Sequence, residues 1–189
     1  MKKLIPLTDY LHVHDTAHIL YFFEHTDSYV NNMMAYIKAG IERGHHLFVI
    51  ENDHIYAMAE QKIRTLFSPE QQQCIHYVDS SHFYRCYGDF HIDTILKHFD
   101  EQVASVMKAD ITIRSWAHVE WRRLDDIVET LEEYERQSDC KVHDMGIMAV
   151  CAYAASDISA SLLTKMMRSH EYLMTDHEFV RSSLYRRES

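Results

Sequence analysis

The stretch Ile19-Leu-Tyr-Phe-Phe-Glu-His-Thr-Asp-Ser-Tyr29 decides the fold. Its first five residues are all apolar or aromatic, as in a strand covered on both faces. The chain then turns through Glu24-His25-Thr26-Asp27 and meets Val30, Met33, Met34, Ile37 and Ile41, spaced to fall on one side of a helix. Asp27 or Ser28 can cap that helix, and Gly44 ends it before a second apolar run, Leu47–Ile50. This is a β-α-β opening. The turn at its centre has no glycine and no lysine, and it carries two carboxylates. A phosphate-binding loop needs G-x-x-x-x-G-K-[ST], and a dinucleotide site needs G-x-G-x-x-G. Neither is present, so phosphate binding at this turn is disfavoured by both charge and shape.

The alternation continues outward. Strands are expected at Cys74–Val78, at Ile111–Ile113 extending toward Trp116, and at Gly146–Tyr153. Helical patterns recur over 54–67, over 92–106, over 124–134 and over 162–173, the last carrying His170 on its apolar stripe. Pro69 with Ser68 closes the second helix, and Ser156 or Asp157 can cap the last. Five β-α repeats predict a three-layer, doubly wound, mainly parallel sheet. The 189 residues fit one domain, taken as 16–180, with an N-terminal extension at 1–15 and a basic tail at 181–189 containing Arg181, Arg186 and Arg187. Only 4 glycines and 2 prolines occur, too few for the many tight turns of a β-sandwich or propeller.

Composition narrows the function. The net charge is −10, which repels nucleic acid. The longest apolar run, Ile147–Ala155, is far short of the roughly 20 residues of a membrane span. The start lacks a signal-peptide core. Cys74, Cys86, Cys140 and Cys151 form no C-x-x-C pair and are expected as reduced, buried thiols, with Cys151 a packing residue inside a strand. A cytoplasmic location follows as the expectation. No G-x-S-x-G elbow occurs, and Cys86 beside Arg85 has no evident base. Asp125-Asp126 and Glu132-Glu133 fall opposite the apolar stripe of their helix and are expected in solvent.

In an open parallel sheet, ligands bind outside the carboxyl ends of the strands. Those ends carry His25, Asp53, His54, Asp79, His82, His118 and Glu120 beside Phe22, Phe23, Phe83, Tyr84, Tyr87, Trp116, Trp121 and Tyr153. They can line a small-molecule pocket, or serve as helix caps and as an aromatic-rich core. Fifteen histidines are present. His12-Val13-His14 with Asp15 and His18, and the pair His45-His46, have ligand-type residues, yet no H-E-x-x-H or structural-zinc spacing occurs. These histidines are read as solvated, with neither metal nor cofactor expected. The second class of function is a metal-assisted hydrolase built on His25, Asp79, His118 and Glu120.

Several segments together resemble one family. They are His18-Ile-Leu-Tyr-Phe-Phe-Glu24, Ala39-Gly-Ile-Glu-Arg-Gly44, Tyr77-Val-Asp79, Ile113-Arg-Ser-Trp116 through Trp121, Leu131-Glu-Glu-Tyr-Glu135, Val150-Cys-Ala-Tyr153 and Arg168-Ser-His170. Their order and spacing resemble the DcmR-type sensory (MEDS) domain of methanogens and methylotrophs, across roughly residues 16–175. The resemblance implies a RecA/KaiC-like α/β fold without the phosphate loop. It also implies a non-catalytic regulatory role in bacteria and archaea, sensing small organic ligands that include hydrocarbon derivatives. Members are often joined to DNA-binding or kinase modules. This chain has no room for one, so it is expected to signal through a protein partner or as a homo-oligomer. The pocket candidates carried over are His18, Glu24, Tyr153 and His170. His118 stands as an altered position, because Ala117-His118 occupies the place of the family's Gly-Glu. Trp121 joins them from the aromatic set.

Overall fold

The computed structural model describes residues 15–85, 90–106, 111–121 and 127–186. In chain order they form β1 (Ala17–Phe23), α1 (Thr26–Glu42), β2 (His46–Glu51), α2 (Asp53–Leu66), α3 (Pro69–Gln72) and β3 (Ile75–Asp79). Next come α4 (Ser80–Arg85), α5 (Ile92–Val106), β4 (Ile113–His118), α6 (Ile127–Met145) and β5 (Met148–Ala154). A 3-10 turn (Ala155–Asp157), α7 (Ala160–Met166), β6 (Tyr172–Met174) and β7 (Phe179–Arg181) complete it.

The sheet order is β3-β2-β4-β5-β1-β6-β7, with only the β6–β7 pair antiparallel. The first two crossovers step one way along this order and the next three step back. Right-handed crossovers then require α1 and α2 on one face of the sheet and α4 to α7 on the other. The packing agrees. Tyr21, Trp116 and Val150 pack with α1 and α2, whereas Leu20, Ala117 and Cys151 pack with α4 to α7. Alternation along each strand therefore sorts the candidate residues by face.

The stop at Gly44 is as expected, while Gly146, expected to open a strand, ends a helix instead and β5 starts at Met148. Gly44 (φ +74°) and Gly146 (φ +63°) adopt the left-handed conformation after α1 and α6. Each helix closes with the same double bond. Gly44 N–H donates to Ile41 O and His45 N–H to Gly40 O, while Gly146 N–H donates to His143 O and Ile147 N–H to Val142 O. Glycine is needed there because a Cβ disfavours that φ.

Other boundaries differ from expectation. Pro69 opens α3, where Ser68 and Gln71 form a capping box. α1 begins at Thr26 after His25, whose side chain makes no cap. Ser159, not Ser156 or Asp157, caps α7 through the Leu162 N–H at 3.2 Å. The last helix stops at Met166, so His170 lies in the connection to β6 and is not helical. Residues 181–186 are not a free tail. Arg181 ends β7, the Ser182 hydroxyl donates to Met167 O at 2.6 Å, and the Tyr185 hydroxyl reaches Asp139 Oδ2 at 3.3 Å. Cys140 is exposed and Cys74 half-buried, which corrects the expectation of buried thiols for those two; Cys151 is buried as expected. Glu132 and Glu133 are half-buried and paired with Lys165 and Arg136, while Asp125, Asp126, Cys86, Tyr87, His12, His14 and Arg187 fall outside the described residues. No helix among the described residues is long and apolar enough to cross a membrane.

Candidate functional site

β1 and β5 run side by side in parallel, with Leu20 opposite Cys151 and Phe22 opposite Tyr153. Their pleat sends His18, Cys151 and Tyr153 to the face covered by α6. α6 lays Glu135 and Asp139, one turn apart, against that face, and the connection after α7 brings in His170. The result is a polar cluster in the apolar interior. His18, Glu135 and His170 are 0% exposed, and Cys151 and Asp139 are buried beside them.

The bonding within it is ordered. His18 Nδ1 lies 2.8 Å from Ser169 O and 3.3 Å from Asp139 Oδ1. A carbonyl only accepts, so Nδ1 carries a hydrogen. His170 Nδ1 donates likewise to Met166 O at 2.7 Å. The two imidazoles stack with centroids 3.9 Å apart. Both turn Nε2 to the same carboxylate oxygen, Glu135 Oε2, at 3.6 Å from His18 and 3.3 Å from His170. The Tyr153 hydroxyl donates to the other oxygen, Oε1. Cys151 Sγ lies 3.4 Å from His18 Nε2.

Burial alone lowers the His18 pKa, but the Asp139 hydrogen bond and the Glu135 and Asp139 charges outweigh it, and the ring stands above its ordinary value. His170 is held below its ordinary value by burial and by the charge on His18. Burial and the Glu135 charge push the Cys151 thiol and the Tyr153 phenol well up. The cluster thus sets the Glu135 carboxylate, whose pKa burial pushes up but the His170 and His18 charges hold below its usual range, at the point where both Nε2 atoms meet. Beside it lies a mostly apolar cavity of about 40 Å³, whose walls include His18, Cys151, Phe83, Phe99, Ala117 and Tyr134.

A second polar group sits across the sheet, at the carboxyl ends of β2 and β4. Glu51, fully buried, accepts from the Tyr29 hydroxyl at 2.6 Å and the Asn52 N–H at 2.8 Å, and pairs with His118 Nδ1 at 2.7 Å. Burial opposes charge on His118, yet the Glu51 hydrogen bond and charge raise its pKa overall. Trp116 Nε1–H donates to the Tyr29 hydroxyl at 2.8 Å.

The six expected ligand residues therefore divide. His18, Tyr153 and His170 come together, and Trp121 stacks obliquely near Tyr153 with ring centroids 6.0 Å apart. His118 lies on the opposite face, and Glu24 is exposed at the rim. Of the rim groups of the hydrolase reading, His118 and Glu120 meet at Asn52, whose Nδ2 lies 3.5 Å from His118 Nδ1, while the others stand apart. His25 is exposed. The Asp79 carboxylate takes the His82 N–H at 2.8 Å, at the start of α4. Glu120 bonds Ser80 and reaches Asn52 at 3.4 Å. Two participants were missed. Glu135 and Asp139 sit at i and i+4 in a charged helix, and nothing local separates them from solvated neighbours.

The turn after β1 has its own occupant. Asp176 Oδ2 accepts the backbone N–H groups of Glu24 at 3.1 Å and His25 at 2.9 Å, and its Oδ1 accepts the Tyr21 hydroxyl at 2.7 Å. Two backbone amides immediately before the helix N-terminus are thus already bound to a carboxylate of the same chain, which adds negative charge where a phosphate would sit.

A mostly parallel seven-stranded sheet between two helical layers, in this strand order, is an α/β domain of the RecA-like class. It is similar to the ATPase domain of G40P, with a TM-score of 0.55 at 7% identity over 85% of this chain and 69% of that one. It is also similar to the flagellar accessory protein FlaH from Methanocaldococcus jannaschii, with a TM-score of 0.48 at 10% identity over 88% of this chain and 75% of that one. Such identities speak to the fold alone. No curated protein sequence matches the chain. The profile of the MEDS family, the methanogen/methylotroph DcmR sensory domain, matches residues 17–171, and the chain belongs to that family.

Proposed function

We propose that this sensory domain takes up a small, largely apolar organic molecule in the cavity beside Cys151 and His18 and passes its occupancy to a protein partner or a second copy. The cavity carries this reading. Its volume of about 40 Å³ lies between the sheet and α4 to α6, with aromatic walls and a polar corner at His18. A water needs roughly 10–15 Å³ of such space, so only a molecule of a few heavy atoms fits without movement. The occupied β1–α1 turn supports a role other than nucleotide binding. Ligand occupancy would bias the packing of α5 and α6 on the sheet, giving two populations that a partner can distinguish.

A thermal-shift screen of the full chain against small organic molecules and nucleotides tests this. A true ligand stabilises by RT ln(1 + [L]/Kd), so Tm rises with concentration. Ala117→Leu fills the cavity from its wall and removes that rise. Stabilisation by nucleotides alone, or a rise that survives Ala117→Leu unchanged, refutes the proposal.

A further inference from the structure

We propose that His18 Nε2, Glu135 Oε2, Cys151 Sγ and His170 Nε2 form a buried tetrahedral site for a divalent cation of the zinc class. The four ligand atoms lie within 4.8 Å of one another. Three of the pairs are 3.3, 3.4 and 3.6 Å apart. A tetrahedral zinc with bonds of about 2.0–2.3 Å to nitrogen, oxygen and sulfur has ligand-to-ligand edges of about 3.3–3.6 Å.

Donor chemistry points the same way. Both imidazoles give their Nδ1 hydrogens to backbone carbonyls, Ser169 O and Met166 O, which leaves Nε2 as the nitrogen each ring can offer to a metal once any Nε2 hydrogen is displaced to solvent. The Tyr153 hydroxyl occupies Glu135 Oε1 and leaves Oε2 turned inward. Glu135 Oε2 faces His170 Nε2 at 3.3 Å and His18 Nε2 at 3.6 Å, on side chains that are all 0% exposed, so the three atoms must share a proton or a metal ion. A carboxylate buried against two imidazoles needs positive charge at their meeting point, and a divalent cation supplies more of it than a proton on His18. A divalent cation with one carboxylate and one thiolate is electrically neutral, which is the condition for burying it here. On binding, the Cys151 S–H bond breaks, the sulfur keeps the electron pair and bonds the metal, and the proton leaves to solvent. Mixed nitrogen, oxygen and sulfur ligation suits zinc, and suits cobalt as its spectroscopic substitute. The bound cation would tie β1, β5, α6 and the α7–β6 connection together at one wall of the cavity.

The experiment is metal analysis of the untagged full chain, followed by titration of the metal-stripped chain with Co²⁺. Stoichiometric uptake, with the visible bands of tetrahedral cobalt and a thiolate-to-cobalt charge-transfer band, is the expected result. Cys151→Ser, nearly isosteric, removes the charge-transfer band. Tyr153→Phe keeps the spectrum but weakens uptake about 10–100-fold, through loss of the bond that orients Glu135. Circular dichroism of both variants establishes that they are folded. Failure of the folded, stripped chain to take up Co²⁺ or Zn²⁺ overturns the proposal and leaves a proton as the shared cation. An unchanged cobalt spectrum in Cys151→Ser also overturns it, by placing the metal elsewhere, for instance on His12 and His14.

Discussion

Replacing Asp176 by Ala removes one carboxylate that serves three donors. Tyr21 is 0% exposed, so its hydroxyl, 2.7 Å from Asp176 Oδ1, loses its acceptor where water does not reach it. An unsatisfied buried donor costs about 1–3 kcal/mol. The Glu24 and His25 amides, at 3.1 and 2.9 Å, lie at exposed residues and can rehydrate. Their loss is comparable to removing a helix N-cap, about 0.5–2 kcal/mol. Together these predict a destabilisation of about 1.5–5 kcal/mol in urea denaturation, with an unchanged m-value because the surface exposed on unfolding is the same. The same variant frees the amides of Glu24 and His25 and removes a negative charge just before the N-terminus of a 17-residue helix. Phosphate or sulfate should therefore stabilise Asp176→Ala more than the unsubstituted chain, with chloride as the ionic-strength control. A loss below about 0.5 kcal/mol, within the range of ordinary surface changes, would refute the claim that Asp176 holds the turn. Equal stabilisation of both proteins by phosphate would refute the claim that its carboxylate occupies the anion position.

Tyr29→Phe deletes a hydroxyl that donates to Glu51 and accepts from Trp116, both fully buried. It should cost about 2–4 kcal/mol in chemical denaturation, and a cost below about 1 kcal/mol would show that the two partners find replacements. His45 accepts from Arg114 Nε at 2.9 Å, and burial with the Arg114 and Arg43 charges holds its pKa down to about 4. Unfolded, it titrates near 6.5, so its contribution is complete above that pH and is lost as pH falls from about 6.5 toward 4. His45→Gln keeps an acceptor without a proton to gain, and should flatten the stability profile in that window relative to the unsubstituted chain. Superimposable slopes would show that His45 does not titrate with folding.

The alternation of apolar runs with helical spacing gave five parallel strands and their helices, since strand and helix periods are local properties of side-chain placement. Gly44 marked the end of α1 for an equally local reason, whereas Gly146, read as the start of a strand, in fact closes α6. The reading failed where long-range bonds decide. Leu162, Leu163, Met166 and Leu173 keep helical spacing through Ser169-His170, and no glycine or proline interrupts 160–189. The helix nevertheless ends at Met166, where the His170 ring takes the Met166 carbonyl and His18 takes the Ser169 carbonyl. Residues 172–174 then join the sheet beside β1.

The site divides the same way. His18, Tyr153 and His170 were named through family likeness, whereas Glu135 and Asp139 look like any charged pair on a helix. Sequence alone determined the β-α alternation, the absent phosphate motif and the residue types available for ligation, because these depend on neighbours within a few positions. Only the tertiary structure decided that β5 lies against β1, that α6 covers both, and that Asp176 fills the first turn. Those outcomes depend on strand order, and strand order brings together side chains more than a hundred residues apart.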